Sequence, residues 1–501
     1  MSLRKVLIAN RGEIAVRIAR ACRELAIPCV AVYSEADRGA PHVAASDEAV
    51  HIGPAATSDS YLNADRLLEA CVRTGCDSVH PGYGFLAENA KFAARIEQAG
   101  LTFIGPPAAA IAEMGDKTVA RRRMTDSGVP VVPGSGGPLA SAEEALSAAE
   151  RAGFPVLLKA AAGGGGKGMR VVERAPDVAR AFDAASREAG QAFGDDRVYV
   201  EKYLENPRHV EVQILADRHG TVLHLGEREC SIQRRHQKLI EEAPAPGLPR
   251  EVREELGNVA CAAARAVGYV GAGTVEFLLQ ESEFYFLEMN TRIQVEHPVT
   301  ELVTGVDIVQ WQLRIAAGER LTLPDSVADP VGHAIECRIS GEDPYGGFLP
   351  STGIIRGLDL PGGPGVRWDG GVVVGSEVGL DYDPLLGKLI VLGATRAEAI
   401  VRMRRALDEL ALNGVRTTIP FHRAVMDEPD YLAGRVSVRY VEQHPELTES
   451  GAGWPADAAV AVAAVLEHRF RDMSSPRTTL RAASMPATER SAWQRRFEAD
   501  E

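Results

Sequence analysis

Four consecutive glycines and a lysine, within Gly163-Gly164-Gly165-Gly166-Lys167-Gly168, lie between two β-like stretches, Phe154-Pro-Val-Leu-Leu-Lys159 and Met169-Arg-Val-Val-Glu173. This context restricts the fold more than any other feature of the chain. Gly163, Gly165 and Gly168 satisfy G-x-G-x-x-G. A dinucleotide-binding loop, however, must open a helix so that the helix N-terminus meets the pyrophosphate, and here a strand follows. A Walker A loop fails too, because Gly168 stands where Ser or Thr would bind magnesium. What remains is a flexible glycine loop between two strands that can fold over phosphates with backbone N–H groups and a lysine; the bland counterpart is a structural turn.

A second constraint is Thr274-Val-Glu276-Phe-Leu-Leu, a short turn, then Phe284-Tyr-Phe-Leu-Glu288-Met-Asn290. A hairpin symmetric about Ser282 sets Glu276 directly opposite Glu288, with Asn290 on the same face as Glu288. Like charges so opposed are destabilising. A divalent cation removes the repulsion, and an all-oxygen donor set suits Mg²⁺ or Mn²⁺ bridging phosphates. Two exposed carboxylates on a solvated sheet face are the alternative, weakened by the core-like Val275, Phe277, Phe286 and Leu287.

Around these segments the chain reads as α/β. Lys5 to Ala9 is β-like, Glu13 to Leu25 puts Ile14, Ile18, Ala21 and Leu25 on one helical face, and Cys29 to Tyr33 is β-like again. A second such unit ends at Ser78 and Val79, before His80-Pro81-Gly82-Tyr83-Gly84, so residues 1–115 read as a doubly wound, Rossmann-like domain. Its first turn, Asn10-Arg11-Gly12, lacks the dinucleotide glycines, which argues against a nicotinamide or flavin site. Residues 116–330 form the central region, with a lid at about 131–203; residues 331–441 form a C-terminal α/β segment with β-like runs at His333 to Ile339 and Gly387 to Leu392. Residues 442–501 are an Ala- and Arg-rich tail, helical or partly disordered. A length of 501 residues suits about three domains, each with its own core.

Composition excludes several classes of partner. The net charge of −14 repels phosphate backbones and anionic lipid, so neither nucleic acid nor a membrane is expected. No apolar segment approaches the roughly 20 residues of a membrane span, and the first apolar run, Val6 to Ala9, is too short for a secretory signal. Seven cysteines without a C-x-x-C pair read as reduced thiols in a cytoplasmic protein. Of 55 basic residues only eight are lysines, so their placement is informative.

Two dense polar runs complete the inventory, Arg228-Glu-Cys-Ser-Ile-Gln233-Arg-Arg-His236-Gln-Lys238 and Asn290-Thr-Arg292-Ile-Gln294-Val-Glu296-His-Pro298; either alone reads as a surface charge network. Together with the other motifs they acquire a specific likeness. Phe154 to Gly168 and Phe286 to Ile293 resemble the two nucleotide motifs of the ATP-grasp enzymes of the carbamoyl phosphate synthase and biotin carboxylase group. Arg228 to Lys238, Gln294 to Pro298, Ile8-Ala-Asn-Arg-Gly-Glu-Ile14 and His80-Pro-Gly-Tyr-Gly-Phe85 resemble biotin carboxylases in particular, and the likeness runs from about Lys5 to Tyr440. Tyr345-Gly346-Gly347, Val372 to Leu380 and the tail after Glu442 depart from it.

The resemblance implies an ATP-grasp domain with a glycine-loop lid between N- and C-terminal biotin carboxylase domains. It implies that Lys117 and Lys159 contact ATP phosphates, that Gly163 to Gly168 close over them, and that Glu201, Lys202 and Leu204 line the adenine pocket. His209, Gln233 and His236 would complete the nucleotide site, and Glu276, Glu288 and Asn290 would bind two Mg²⁺ or Mn²⁺ ions. Lys238, Arg292, Gln294, Val295 and Glu296 would surround bicarbonate, with Glu296 as base, and Arg338 would meet the biotin ureido group. Five of the eight lysines fall in this set, at positions where a compact ammonium works and a planar guanidinium does not.

The implied activity is ATP-dependent carboxylation of biotin through carboxyphosphate. The implied partners are a biotin carboxyl carrier protein and the carboxyltransferase subunits of acetyl-CoA carboxylase or a related acyl-CoA carboxylase. Another ATP-grasp ligase would share the glycine loop and the Glu276/Glu288 pair, but would not need the two polar runs; a non-catalytic ATP-binding module would tolerate loss of Glu296 or the acidic pair. Arg17 and Arg20 lie off the apolar face of the first helix and resemble interface positions of the family, which implies a homodimer. No lysine follows Lys388, so biotin is expected on a separate polypeptide.

Overall fold

Val6–Ile8 (β1), Cys29–Ser34 (β2), Glu48–Gly53 (β3), Ser78–His80 (β4) and Thr102–Phe103 (β5) pair in parallel in the order β3-β2-β1-β4-β5. A fully buried central strand needs no polar alternation, and Val6, Leu7 and Ile8 supply none. The strand order reverses between β1 and β4, which run parallel, so the loops leaving those two strands meet at the carboxyl edge, where α/β sheets bind ligands. Asn10 joins them by donating through Nδ2 to Pro81 O and Tyr83 O, each at 2.7 Å. Gly82 permits the contact: a Cβ there would lie 2.8 Å from Asn10 Nδ2.

The structure, a computed structural model, describes residues 3–161 and 169–449; the expected lid loop Gly163–Gly168 and the tail beyond 449 lie outside the described residues. Before that point the chain still packs, since Tyr440 and Leu447 are buried against Phe421 and Val425.

The helix Gly12–Glu24 buries Ile14, Ile18 and Ala21 as its periodicity requires. Arg17, expected off the apolar face together with Arg20 at an interface position, is instead taken up inside the chain. It is 8% exposed and turns inward to Glu301 Oε1 at 2.9 Å and Asp307 Oδ1 at 2.7 Å, because Ile308, Val309 and Trp311 close over the same helix. Arg20 alone of that pair faces solvent.

The rest of the described chain is organised around antiparallel sheets. Val156–Ala160 (β6), Arg170–Val172 (β7) and Val198–Lys202 (β8) form a small one, backed by Ala145, Ala148 and Ala149 of the helix Ala142–Ala152. The large one runs Glu283–Asn290 (β13), Gly271–Gln280 (β12), Arg208–Ala216 (β9), Val222–Arg234 (β10), Gln237–Ala243 (β11), His333–Ser340 (β14), then Leu385–Gly393 and Val366–Gly370. The expected separate cores are therefore not separate. β11 pairs with β14 through Ile240↔Cys337 and Glu241↔Glu336, and Ile232, Leu239 and Ile240 share one apolar cluster with Ile335 and Leu389. This continuity carries Arg338 to the same face as the acidic hairpin.

Candidate active site

The β12–β13 hairpin places its acids by a device that alternation alone does not reveal. Its turn is tight, Gln280 pairing with Glu283, so register near the turn is offset by one from symmetry about Ser282. Phe277 pairs with Phe286, and a bulge at the next step restores Glu276↔Glu288 and Thr274↔Asn290. Without the extra residue Glu276 would face Leu287, and the acidic pair would be lost.

The two acids live in different environments. Glu276 Oε1 accepts from Lys238 Nζ (2.9 Å), Asn290 Nδ2 (2.8 Å) and Gln294 Nε2 (2.7 Å), while Oε2 lies 2.9 Å from His209 Nε2 outside hydrogen-bond geometry. Burial opposes its ionisation, but Lys238 and His209 outweigh that and hold it well below the usual carboxylate range. Burial, and then the neighbouring Glu276, push Glu288 upward, with Lys117 pulling the other way. This pair of opposed acids, with Glu288 strained toward its neutral form, fits an oxygen-binding divalent cation.

Lys238 sits at the centre. Its Nζ lies 2.5 Å from Glu211 Oε2, 2.9 Å from Glu276 Oε1 and 2.6 Å from Glu296 Oε1. Burial alone would neutralise it; these carboxylates instead keep its pKa well above the ordinary value. Glu296, at the N-cap position of the helix His297–Thr304, directs its side chain elsewhere: it receives Lys238 on one oxygen and Arg338 NH2, at 2.9 Å, on the other. Burial again works against its charge, and Lys238, Arg338 and Arg228 hold it well below the usual carboxylate range. Arg338 is steadied from its far side by Glu241 at 2.6 Å.

A fully buried guanidinium holds this layer in place. Arg228 reaches Glu211 Oε1 (2.6 Å), Gln213 Oε1 (2.7 Å), Thr300 Oγ1 (3.0 Å), Thr274 Oγ1 (3.1 Å) and Gln294 Oε1 (2.7 Å), which occupies all five of its N–H donors. Because Gln294 accepts from Arg228 through Oε1, its Nε2 must point to Glu276. Arg292 donates to Glu88 Oε2 (2.8 Å) and to Asn290 Oδ1 (2.8 Å), bringing an acid from the N-terminal segment into the site. The carbonyl of Val295 accepts from Lys388.

A second cluster stands on β6 and β8. Lys159 and Arg121 both pair with Glu201, whereas Lys202 donates to Gly153 O (2.8 Å) and Phe154 O (3.0 Å); Leu204 is half-buried just beyond. Lys117 is exposed at the first turn of the helix Lys117–Asp126. Gln233 pairs with Lys238 in register, and exposed His236 shares the β10–β11 turn with Arg235, at φ values of 66° and 50°. Two successive positive φ values suit a tight hairpin turn, at a cost for non-glycine residues of about 1–3 kcal/mol each. Thus Lys238, Glu276, Asn290, Arg292, Gln294, Glu296 and Arg338 form one hydrogen-bonded network, with His209 beside it; Lys159, Glu201 and Lys202 stand apart.

Glu211 is a member of this network that the motifs do not single out. Its signal is nevertheless in the sequence: His209, Glu211 and Gln213 alternate with Val210, Val212 and Ile214, a polar face in a strand otherwise made for a core, and all six are buried. Glu88 and Arg121 carry no such mark.

The chain matches three family models: Biotin carboxylase, N-terminal domain, at residues 2–111; Carbamoyl-phosphate synthase L chain, ATP binding domain, at 116–323; and Biotin carboxylase C-terminal domain, at 336–443. Biotin carboxylase 1 of Bacillus subtilis is 52% identical over 444 residues, covering 88% of this chain and 99% of that protein. The chain belongs to the biotin carboxylase family. Biotin carboxylases are ATP-dependent ligases, and this chain is one. A pyruvate carboxylase component of Methanothermobacter thermautotrophicus is nearly as similar, 51% identical over 88% of this chain and 90% of that one, so overall identity to biotin carboxylases does not sort them by final carboxyl acceptor. Among solved structures, the biotin carboxylase domain dimer of Hydrogenobacter thermophilus 2-oxoglutarate carboxylase, in complex with MgADP, ADP and bicarbonate, superposes with a TM-score of 0.85 at 49% identity, covering 90% of this chain and all of that one.

Proposed function

We propose that the network around Lys238 is the bicarbonate-activating centre of an enzyme that carboxylates biotin at the expense of ATP, with 1–115, 116–330 and 331–441 each contributing to the site. The observation that carries this reading is Glu296, a buried carboxylate kept ionised between Lys238 at 2.6 Å and Arg338 at 2.9 Å. A base must be unprotonated before substrate arrives, and Lys238, Arg338 and Arg228 favour the ionised form of this one although burial opposes it.

Glu296 takes the bicarbonate proton while Lys238 and Arg292 hold the anion in line with the γ-phosphate, whose transfer releases ADP and forms carboxyphosphate. Lys117 and Lys159 engage the phosphates; Glu201, Lys202 and Leu204 face the adenine; His209, Gln233 and His236 close the nucleotide site. Glu276, Glu288 and Asn290 would hold Mg²⁺ or Mn²⁺, which neutralises charge spread over the transferring phosphoryl oxygens. Carboxyphosphate then divides into CO₂ and phosphate, the released phosphate takes the ureido N–H proton of biotin, and the nitrogen so freed attacks the CO₂ to form the N–C bond of carboxybiotin. Arg338 stabilises the enolate-like ureido oxygen, an effect worth about 3 kcal/mol per preorganised donor.

Within these residues no lysine follows Lys388, and Lys388 is itself fully buried, so the biotin is read as borne on a separate carrier protein that also serves a carboxyltransferase. A homodimer is read from exposed Arg20, with Arg17 held inside its own protomer.

The decisive substitution is Glu296→Gln, which keeps shape and removes the base. Bicarbonate-dependent turnover is expected to fall by about 10²–10⁴-fold while MgATP binding holds. Near-normal turnover in this variant would remove Glu296 from the role.

A further inference from the structure

Two motifs remain outside the chemistry above, Ile8-Ala-Asn-Arg-Gly-Glu13-Ile14 and His80-Pro-Gly-Tyr83-Gly-Phe85. They converge on a lysine. The Tyr83 hydroxyl donates to Glu13 Oε1; the same oxygen lies 3.0 Å from Lys388 Nζ; and Lys388 Nζ donates to Val295 O at 2.7 Å. Lys388 is wholly buried and Glu13 2% exposed. A buried ammonium is costly unless paired and hydrogen-bonded, so its position is fixed by what it touches.

The acceptor it touches matters. Val295 O belongs to the peptide unit that enters Glu296, and Glu296 stands at the N-cap position of the helix His297–Thr304 with its side chain free of any capping bond. Fixing that peptide plane fixes where the Glu296 side chain starts. Lys388 is also the direct cross-strand partner of Arg338, the residue that holds Glu296 Oε2 at 2.9 Å. One register position thus serves both sides of the carboxylate. The choice of lysine, in a chain with eight lysines among 55 basic residues, fits a point charge that must donate in two separate directions, where a planar guanidinium fork would not. Asp369 adds negative charge beside the ammonium from the cross-strand position on Val366–Gly370, while burial pushes the carboxyl of nearby Glu336 toward its neutral form.

We propose that Lys388 is a positioning residue for the base Glu296, and that Tyr83 and Glu13 hold it there, so that the N-terminal loops set the geometry of proton abstraction without touching bicarbonate. The inference rests on the reading of Glu296 as base. In a closed site a displacement of about 1 Å costs about 10²-fold in rate.

Lys388→Met, Tyr83→Phe and Glu296→Gln would be compared in the full chain for bicarbonate-dependent ADP release, with kcat, KM for bicarbonate and for ATP, the pH profile of kcat, and thermal melting. Lys388→Met is expected to lower kcat by about 10²-fold, to leave KM for ATP within about twofold, and to move the acidic limb of the profile to higher pH as the base drifts from its cations. Tyr83→Phe, which removes one hydroxyl, is expected to shift the same quantities in the same direction by a smaller factor. A folded Lys388→Met with wild-type kcat and acidic limb overturns the inference, as does a lower melting temperature with unchanged turnover per folded enzyme. Should Lys388→Met not fold, Tyr83→Phe decides, and unchanged kcat and limb there overturn it. Glu296→Gln separates the two failures. If it is inactive while Lys388→Met is normal, only the positioning role falls; if it stays active, the base assignment falls and takes this inference with it.

Discussion

Lys238 and Lys117 are both assigned to substrate anions, yet the molecule treats them in opposite ways. Lys238 is enclosed by carboxylates from β9, β12 and the segment before the helix His297–Thr304, each within 2.9 Å. Lys117 is exposed at the start of a helix and reaches Glu288 through charge. The difference teaches how the two halves of a ligase site divide their work. Where a proton must be removed, donors and acceptors are fixed in advance, so no reorganisation is required at the moment of reaction. On the proposed assignment of Lys117 to ATP, the cation that meets a nucleotide entering and leaving is left in solvent.

Removing each lysine tests this contrast most severely. Lys238→Met leaves Glu211, Glu276 and Glu296 buried without their shared ammonium, and is expected to cost about 3–5 kcal/mol of stability as well as bicarbonate-dependent turnover. Urea unfolding of the variant measures the first, and a stability near wild type would break the comparison. Lys117→Gln is expected to leave unfolding within about 0.5 kcal/mol. Its effect belongs to the nucleotide: KM for ATP should rise by about tenfold, the worth of one charge-assisted hydrogen bond. An equal loss of stability in the two variants would show that the halves are not built differently.

The smallest expected effect is that of pH between 8 and 5. Glu242, between Arg396 and His333, and Glu301, between Arg17 and Arg367, are held below the usual carboxylate range although burial opposes it, as is Glu296. A carboxylate depressed in the folded state stabilises above its unfolded value and loses that contribution as pH falls through the folded one. These groups therefore leave stability flat from pH 8 to 5 and withdraw it below about pH 4. Burial holds His42, His80 and His422 toward their neutral forms, so they withdraw stability from about pH 6.5 downward on their own account. The check is therefore the melting difference between the wild type and Glu301→Gln from pH 8 to 3, expected to stay constant to about pH 5 and to shrink below about pH 4; a difference already shrinking at pH 6 would contradict it.

How much of this is legible in the sequence depends on how far each residue's partner lies along the chain. Glu276 and Glu288 sit on one hairpin, so period-two alternation is enough to oppose them. The bulge that makes the opposition true is invisible, because Leu287 reads as an ordinary core residue. The βαβ start of the chain is equally clear, since a buried helical face repeats every three to four residues. The inward turn of Arg17 is not, because Glu301 and Asp307 lie some 284 residues or more away. Glu88 on Arg292 and Lys388 on Val295 have the same character: a single letter whose partner is chosen by tertiary packing. Arg228 stands out in the sequence only as part of a polar run. Its meaning, five donors spent inside one layer, emerges once β9, β10 and β12 lie side by side.

The central claim is that this chain couples ATP cleavage to bicarbonate activation and to biotin. The direct measurement is ADP release by the purified chain with MgATP, adding bicarbonate and a biotinylated carrier protein singly and together, alongside free biotin. Release is expected to need both additions, and to run about a hundredfold faster with the carrier than with free biotin at equal concentration, since docking raises the effective concentration of the ureido ring. Brisk ADP release without bicarbonate, or a rate indifferent to biotin in either form, would contradict the account.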